Sequence, residues 1–136
     1  MRRLFALSLL LLSACGSVLT VTEDPPPKPG MGQIVFRRIG NATILPGNAK
    51  IEINGERIAS LGAHERQVTD IKPGHTVVSV SDSLFSFGRY TIEFEAAAGK
   101  TYLFNIAVRG DMIVQALSPD YKITEATGTF KIGQGS

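Results

Sequence analysis

The sequence has little of what usually holds a small exported domain together or anchors it by a helix. It contains one cysteine and no tryptophan in 136 residues. A single thiol leaves no partner for an intramolecular disulfide, so the fold must depend on its apolar core. No apolar run reaches the about 20 residues that a membrane-spanning helix needs. No long stretch carries apolar residues at helical spacing either, which argues against a helical bundle.

The single cysteine, Cys15, follows a sequence typical of an export signal. Arg2 and Arg3 precede an apolar run that ends at Leu12, and small residues follow it. A basic start, a short apolar segment and small residues at the cleavage position are the features of a secretory signal peptide. The run is too short and is flanked by the wrong residues for a spanning anchor.

The tetrapeptide Leu12-Ser13-Ala14-Cys15 resembles a bacterial lipobox, in which a peptidase cuts before a cysteine that carries lipid. The resemblance implies that residues 1–14 are a lipoprotein signal peptide and that Cys15 is the lipid-attachment site. We therefore expect an envelope protein held to a membrane by acyl chains. Gly16 in place of an aspartate favours the periplasmic face of the outer membrane as the destination.

The charge of the chain changes once the signal peptide is set aside. The sequence has 14 Lys and Arg against 12 Asp and Glu, and two of the basic residues belong to the leader. The remaining chain has 12 of each sign and is formally neutral. Without a basic cluster it lacks the electrostatic footprint of a nucleic-acid-binding protein.

Composition divides the rest of the chain into three parts. Residues 15–32 include Pro25-Pro26-Pro27-Lys28-Pro29-Gly30 and are predicted to be an extended tether, because consecutive prolines favour an open chain. Residues 33–124 are predicted to form one β domain. Residues 125–136 are small, polar and glycine-rich, and are predicted to be a flexible C-terminal tail.

The domain shows the two-residue period of half-buried strands. Strands are predicted at 33–39, 50–53, 56–61, 75–80, 90–96, 101–108 and 112–117, with a short edge strand at 121–123. Asn54-Gly55 between two of these runs is the strongest short hairpin signal. Short alternating strands with frequent turns predict an all-β fold, a small antiparallel β-sandwich of about seven strands.

Three segments carry a family resemblance. Residues 49–61 contain a strand and hairpin of the form xxGxxIxxL, residues 73–77 read PGHTV, which is close to a PGxHxV turn and strand, and residues 98–102 read AGKTY. Over roughly residues 33–117 the chain resembles small bacterial lipoproteins with an uncharacterised domain related to PEGA and carboxypeptidase-regulatory-like β-sandwiches. The resemblance implies an envelope-associated module without catalysis, in which these motif residues determine the fold.

The polar residues His64, Glu65, Asp70 and His75 are the nearest approach to a catalytic or metal-binding group. They lack the ligand spacing of a zinc site, and no nucleophile elbow or phosphate-binding loop is present. We therefore expect no enzyme activity, no metal and no cofactor. A metal-dependent enzyme is kept as the less favoured alternative.

The loop that joins the strands at 75–80 and 90–96 contains Leu84, Phe85 and Phe87, and it is the candidate interaction site. Apolar side chains on a loop can form a binding patch. The alternatives are that they cap the open end of the sandwich, belong to an extra strand or contact lipid. From these features we expect a non-catalytic protein-binding or scaffolding module with an envelope protein as partner. A carrier of a small apolar ligand is the second possibility.

Overall fold

A computed structural model describes residues 24–39, 47–84, 88–109 and 120–135, and these form β-strands and no helix. The strands are β1 (Gly32–Arg38), β2 (Ala49–Ile53), β3 (Glu56–Leu61), β4 (Arg66–Ile71), β5 (Gly74–Asp82), β6 (Tyr90–Ala96), β7 (Thr101–Val108), β8 (Lys122–Ala126) and β9 (Phe130–Gln134). The predicted signal peptide, Cys15, Phe85, Phe87 and the predicted strand at 112–117 lie outside the described residues. Among the described residues, none forms an apolar helix of membrane-crossing length.

The strands form two sheets that pack face to face, as predicted for a β-sandwich. One sheet has the order β4-β1-β7-β9 and the other has the order β3-β2-β5-β6-β8. Alternate residues of both sheets fill the space between them, and the aromatic ring of Phe104 lies at the centre. Its centroid is 5.5 Å from that of Phe94 and 5.7 Å from that of Tyr121. The alternation read from the sequence therefore gives one continuous apolar core.

The hairpin between β2 and β3 has the turn that its sequence predicts. Asn54 and Gly55 both have positive φ, at 50° and 83°, as a type I′ turn requires. Asn54 also ties the turn to the neighbouring strand, since its Oδ1 accepts a hydrogen bond of 2.8 Å from the backbone N–H of Val77. The turn residues thus fix the register of β2 against β3 as well as its position beside β5.

One strand pair differs from the fully antiparallel sheets that were predicted. β1 and β7 are parallel, with Ile34 opposite Tyr102 and Phe36 opposite Phe104. β1 is also buried on both faces, because Val35 on its outer side is as inaccessible as its inner-facing neighbours. Two-sided burial is typical of parallel strands. Alternation in the sequence reports which face of a strand is apolar, but it does not report the direction of the partner strand.

The prediction of a flexible tail at 125–136 is wrong for the residues the structure describes. β8 continues to Ala126, and β9 pairs antiparallel with β7. Phe130 and Ile132 on β9 are fully buried in the core. The segment looks polar because the residues of β8 are exposed and because polar or small residues flank Phe130 and Ile132, the two residues that enter the core.

The tether prediction for 15–32 is also too long. Residues of its second half contact β1 and β4: the side-chain amide of Gln33 donates to the backbone oxygen of Pro25 at 2.8 Å. Arg66 pairs with Asp24, and the Nζ of Lys28 lies 3.8 Å from Asp70 Oδ2. The packed unit therefore includes residues from 24 onward.

One end of the sandwich contains the connection that carries Leu84, and we call it the loop end. It contains residues 47–48, 62–65, 83–84, 88–89 and 127–129. Backbone hydrogen bonds join neighbouring connections within each sheet. Ser83 N donates to Asn48 O at 3.0 Å, and Arg109 N donates to Thr129 O at 2.7 Å.

Candidate functional site

Of the predicted interaction residues, Leu84 is the one that the structure describes, and it lies at the loop end. Its side chain is 69% exposed, more than that of Ile123, the other exposed large apolar residue among those described. Phe85 and Phe87 lie outside the described residues. The Leu84 side chain is therefore accessible from solvent.

A buried carboxylate holds the backbone at Leu84. Asp82 continues the inward-facing series of β5 after Val78 and Val80, and it is 2% exposed. Its Oδ1 accepts hydrogen bonds from Leu84 N at 2.8 Å and from Gly47 N at 3.1 Å. One oxygen thus joins the loop after β5 to the segment before β2. A Cβ at Gly47 would lie 2.8 Å from Asp82 Oδ1 and 2.6 Å from Leu84 Cγ, so a larger residue there would disturb this contact.

Arg38 extends this buried polar network under the loop end. Its Nη1 donates to Leu61 O at 2.9 Å and to Gly47 O at 3.3 Å. The guanidinium carbon lies 4.9 Å from the centre of the Phe130 ring, a cation–π distance. Burial lowers the pKa of Arg38, while the charges of Asp82 and Glu65 oppose that shift. Arg38 remains protonated, because the ordinary pKa of an arginine guanidinium is far above physiological pH.

The far side of the same loop is tied to the turn between β8 and β9. Arg89 N donates to Thr127 Oγ1 at 3.0 Å, and Thr127 N donates to Arg89 O at 2.9 Å. Gly88 has a φ of 80°, and a Cβ at that position would meet Thr127 Oγ1 at 2.4 Å. The described residues on both sides of 85–87 are therefore held by hydrogen bonds to other elements.

A polar groove borders this loop on the outer face of the five-stranded sheet. Its volume is about 260 Å³, and its walls are formed by Lys50, Glu52, Ser79, Ser81, Gly88, Arg89 and Glu125. The register explains why these residues meet. Lys50 is opposite Ser81, Glu52 is opposite Ser79, and Thr91 is opposite both Ser79 and Glu125 on its two neighbouring strands.

Sequence reasoning missed the groove and the network below it. The groove residues alternate with core residues in the sequence. This pattern is typical of the solvent-exposed face of any antiparallel sheet, so it does not indicate a groove. The signal for Asp82 was present, because the same alternation that places Val80 inside places Asp82 inside too.

The polar residues that suggested a metal or catalytic site are separated in space. His64 lies in the turn between β3 and β4 at the loop end, with a φ of 61°. His75 lies at the opposite end of the sandwich, where its Nδ1 is 3.2 Å from Glu95 Oε1 and its Nε2 is 4.0 Å from Glu93 Oε1. Asp70 instead lies beside Lys28. Across the described ranges, no three His, Cys, Asp or Glu side chains are placed to hold a metal ion.

Comparison of the chain with models of known protein families finds no match, and neither does comparison with curated proteins. The resemblance to PEGA-related lipoprotein domains therefore stays a prediction.

Proposed function

We propose that this protein is a lipid-anchored module of the bacterial cell envelope that binds another protein without catalysing a reaction. The lipobox-like sequence at Cys15 supports the anchor, and Gly16 supports the periplasmic face of the outer membrane. The sandwich supports a binding module, because such folds commonly place their recognition residues on loops at one end.

The observation that carries the proposal is the geometry of Leu84. Its side chain is 69% exposed, while its backbone N–H is fixed by the buried carboxylate of Asp82. Complete burial of a Leu side chain in an interface contributes about 1.5–3 kcal/mol. Because the backbone is already ordered, less conformational entropy is lost when a partner covers the side chain.

Leu84→Asp tests the proposal, with Ile123→Asp as the matched control on the edge strand β8, where Ile123 is paired with Ile92 and lies outside the loop end. Each full-length variant is expressed in its own cells, and proteins that co-purify from the detergent-solubilised envelope are compared. We expect Leu84→Asp to lose a specific partner and Ile123→Asp to keep it. Equal recovery of every protein with both variants would contradict the proposal.

The anchor is tested separately with Cys15→Ser. We expect the wild-type protein in the membrane fraction, carrying acyl chains that mass spectrometry detects. The variant should lack them and should leave the membrane fraction. An unmodified Cys15 in wild-type protein would contradict the lipid anchor but would leave the binding test intact.

An open pocket at the end of the sandwich opposite the loop end is the basis of a second candidate, carriage of a small apolar ligand. Its volume is about 190 Å³, and aromatic rings of Phe94, Tyr102, Phe104 and Tyr121 contribute to its walls. An apolar cavity of about 150 Å³ can hold a single-ring molecule, but most ligand pockets exceed about 300 Å³. The small volume favours the protein-binding function. Native mass spectrometry of the purified chain would support the carrier only if a co-purified small molecule were found.

A further inference from the structure

We propose that the polar groove binds an extended segment of the partner that carries one acidic and one basic side chain two residues apart. This inference rests on the proposed function, because it names the chemistry of the partner. The groove borders the loop that presents Leu84, since Gly88 at the end of that loop is one of its walls. A single partner could therefore contact both features.

The charges along the groove are arranged in two rows that cross the sheet. In the first row, Lys50 is paired with Ser81, and Arg89 continues the row because it precedes Tyr90, the partner of Val80. This row carries one cation on each side of the Ser81 hydroxyl group.

The second row lies two residues farther along the strands and carries the opposite charge. Glu52 is paired with Ser79, Ser79 with Thr91, and Thr91 with Glu125. The hydroxyl oxygens of Ser79 and Thr91 lie 2.9 Å apart and share a hydrogen bond. The row thus places one carboxylate at each end of a hydroxyl pair.

The spacing of the rows matches an extended peptide. Two residues along a strand span about 6.8 Å, and side chains at i and i+2 of an extended segment point to the same side with that separation. A partner segment lying along the groove would place an acidic side chain over the cationic row. Its next side chain on the same face would lie over the acidic row, where a Lys or Arg fits.

The cations of the groove are available for such a contact. Among the described residues, no carboxylate lies within 4.0 Å of the charged groups of Lys50 or Arg89. The ion pairs of the described part of the chain lie outside the groove. The adjacent Glu52 and Glu125 would repel a surface that carries only negative charge. A mixed-charge peptide is therefore a better complement than a phosphate-rich membrane surface.

The test is an NMR titration of the ¹⁵N-labelled full chain in detergent with short threonine-rich peptides. One probe contains Glu-Thr-Lys, and matched probes contain Glu-Thr-Glu, Lys-Thr-Lys and Gln-Thr-Gln. We expect the Glu-Thr-Lys peptide to bind most tightly, to shift the amide signals of Ser79 and Ser81, and to weaken as salt is added. Equal binding of all four peptides, or binding that leaves these signals unmoved, would overturn the inference.

Lys50→Gln and Arg89→Gln should each weaken binding of the Glu-Thr-Lys peptide by a factor of about 1.5 to 5, the range for an exposed ion pair. Lys72→Gln removes an exposed cation at the opposite end of the sandwich and should leave binding unchanged. Inorganic phosphate that shifts the same signals as strongly as the peptide would overturn the inference in favour of a simple anion site. If these peptide tests fail while Leu84→Asp still loses its partner, the inference is wrong and the proposed function stands.

Discussion

Replacing Asp82 by Ala tests whether the loop end is held in place from inside the core. The side chain is 2% exposed and accepts hydrogen bonds from Leu84 N and Gly47 N at 2.8 and 3.1 Å. The substitution removes the shared acceptor and leaves two N–H groups without it. It also removes the negative charge that favours the protonated form of Arg38.

The size of the effect follows from these contacts. A hydrogen bond to a charged group contributes about 1.5–3 kcal/mol, so two bonds suggest about 3–6 kcal/mol. The bonds share one oxygen and are therefore not additive, and water can reach the loop end once the side chain is gone. We expect the free energy of unfolding to fall by about 3–5 kcal/mol, a large part of the about 5–15 kcal/mol of a typical domain.

Urea unfolding followed by circular dichroism measures the loss, and hydrogen exchange reports whether the Leu84 amide loses protection. Asp82→Asn retains an acceptor and should lose less stability than Asp82→Ala. Ser83→Ala, at the exposed neighbouring position, should change stability by less than about 0.5 kcal/mol. A loss below about 1 kcal/mol for Asp82→Ala, with Leu84 still protected, would refute the reasoning, since neutral hydrogen bonds alone contribute that much.

Three further predictions concern the fold. Deleting residues 129–136 should abolish cooperative thermal unfolding, because Phe130 and Ile132 fill the core and loss of each costs about 2–5 kcal/mol; a deletion variant with an unchanged transition would mean that β9 does not stabilise the domain. Gly55→Ala should cost about 1–2 kcal/mol in urea unfolding because its φ is +83°, and an unchanged midpoint would contradict the turn assignment. Burial, with a smaller contribution from Tyr90, raises the pKa of Tyr121 above 10.0, so the folded state binds the phenolic proton more tightly than the unfolded state. That contribution to stability is present below about pH 10 and is lost as the pH rises through the folded pKa. Tyr121→Phe should therefore lose less stability than wild type as the pH is raised past about 10, measured by urea unfolding.

Strands with clean alternation could be predicted from the sequence to their ends. The expected ranges 56–61, 90–96 and 101–108 coincide with β3, β6 and β7. β4 was missed because its inward positions include Gln67 and Thr69, which weaken the apolar signal. β9 was missed because glycine and polar residues mask the two apolar positions that enter the core.

The candidate site was predicted only at Leu84. The buried polar network depends on hydrogen bonds between distant residues, Gly47 with Asp82 at 35 positions apart and Arg38 with Leu61 at 23, which local patterns do not contain. The groove likewise depends on strand order, since Lys50 and Arg89 meet only because β5 lies between β2 and β6. Such sites need the topology before their residues can be grouped.

The central claim is that the loop end is the surface that meets a protein partner. Photo-crosslinking in cells tests it most directly, with a photoreactive amino acid placed at Leu84 in one full-length variant and at Ile123 in another. The account predicts that Leu84 captures one specific protein, that Ile123 does not, and that Lys50→Glu with Arg89→Glu reduces the capture from Leu84. Identical products from both positions, or no specific product from Leu84, would contradict the central claim. Capture from Leu84 that the two charge reversals leave unchanged would contradict only the inference about the groove.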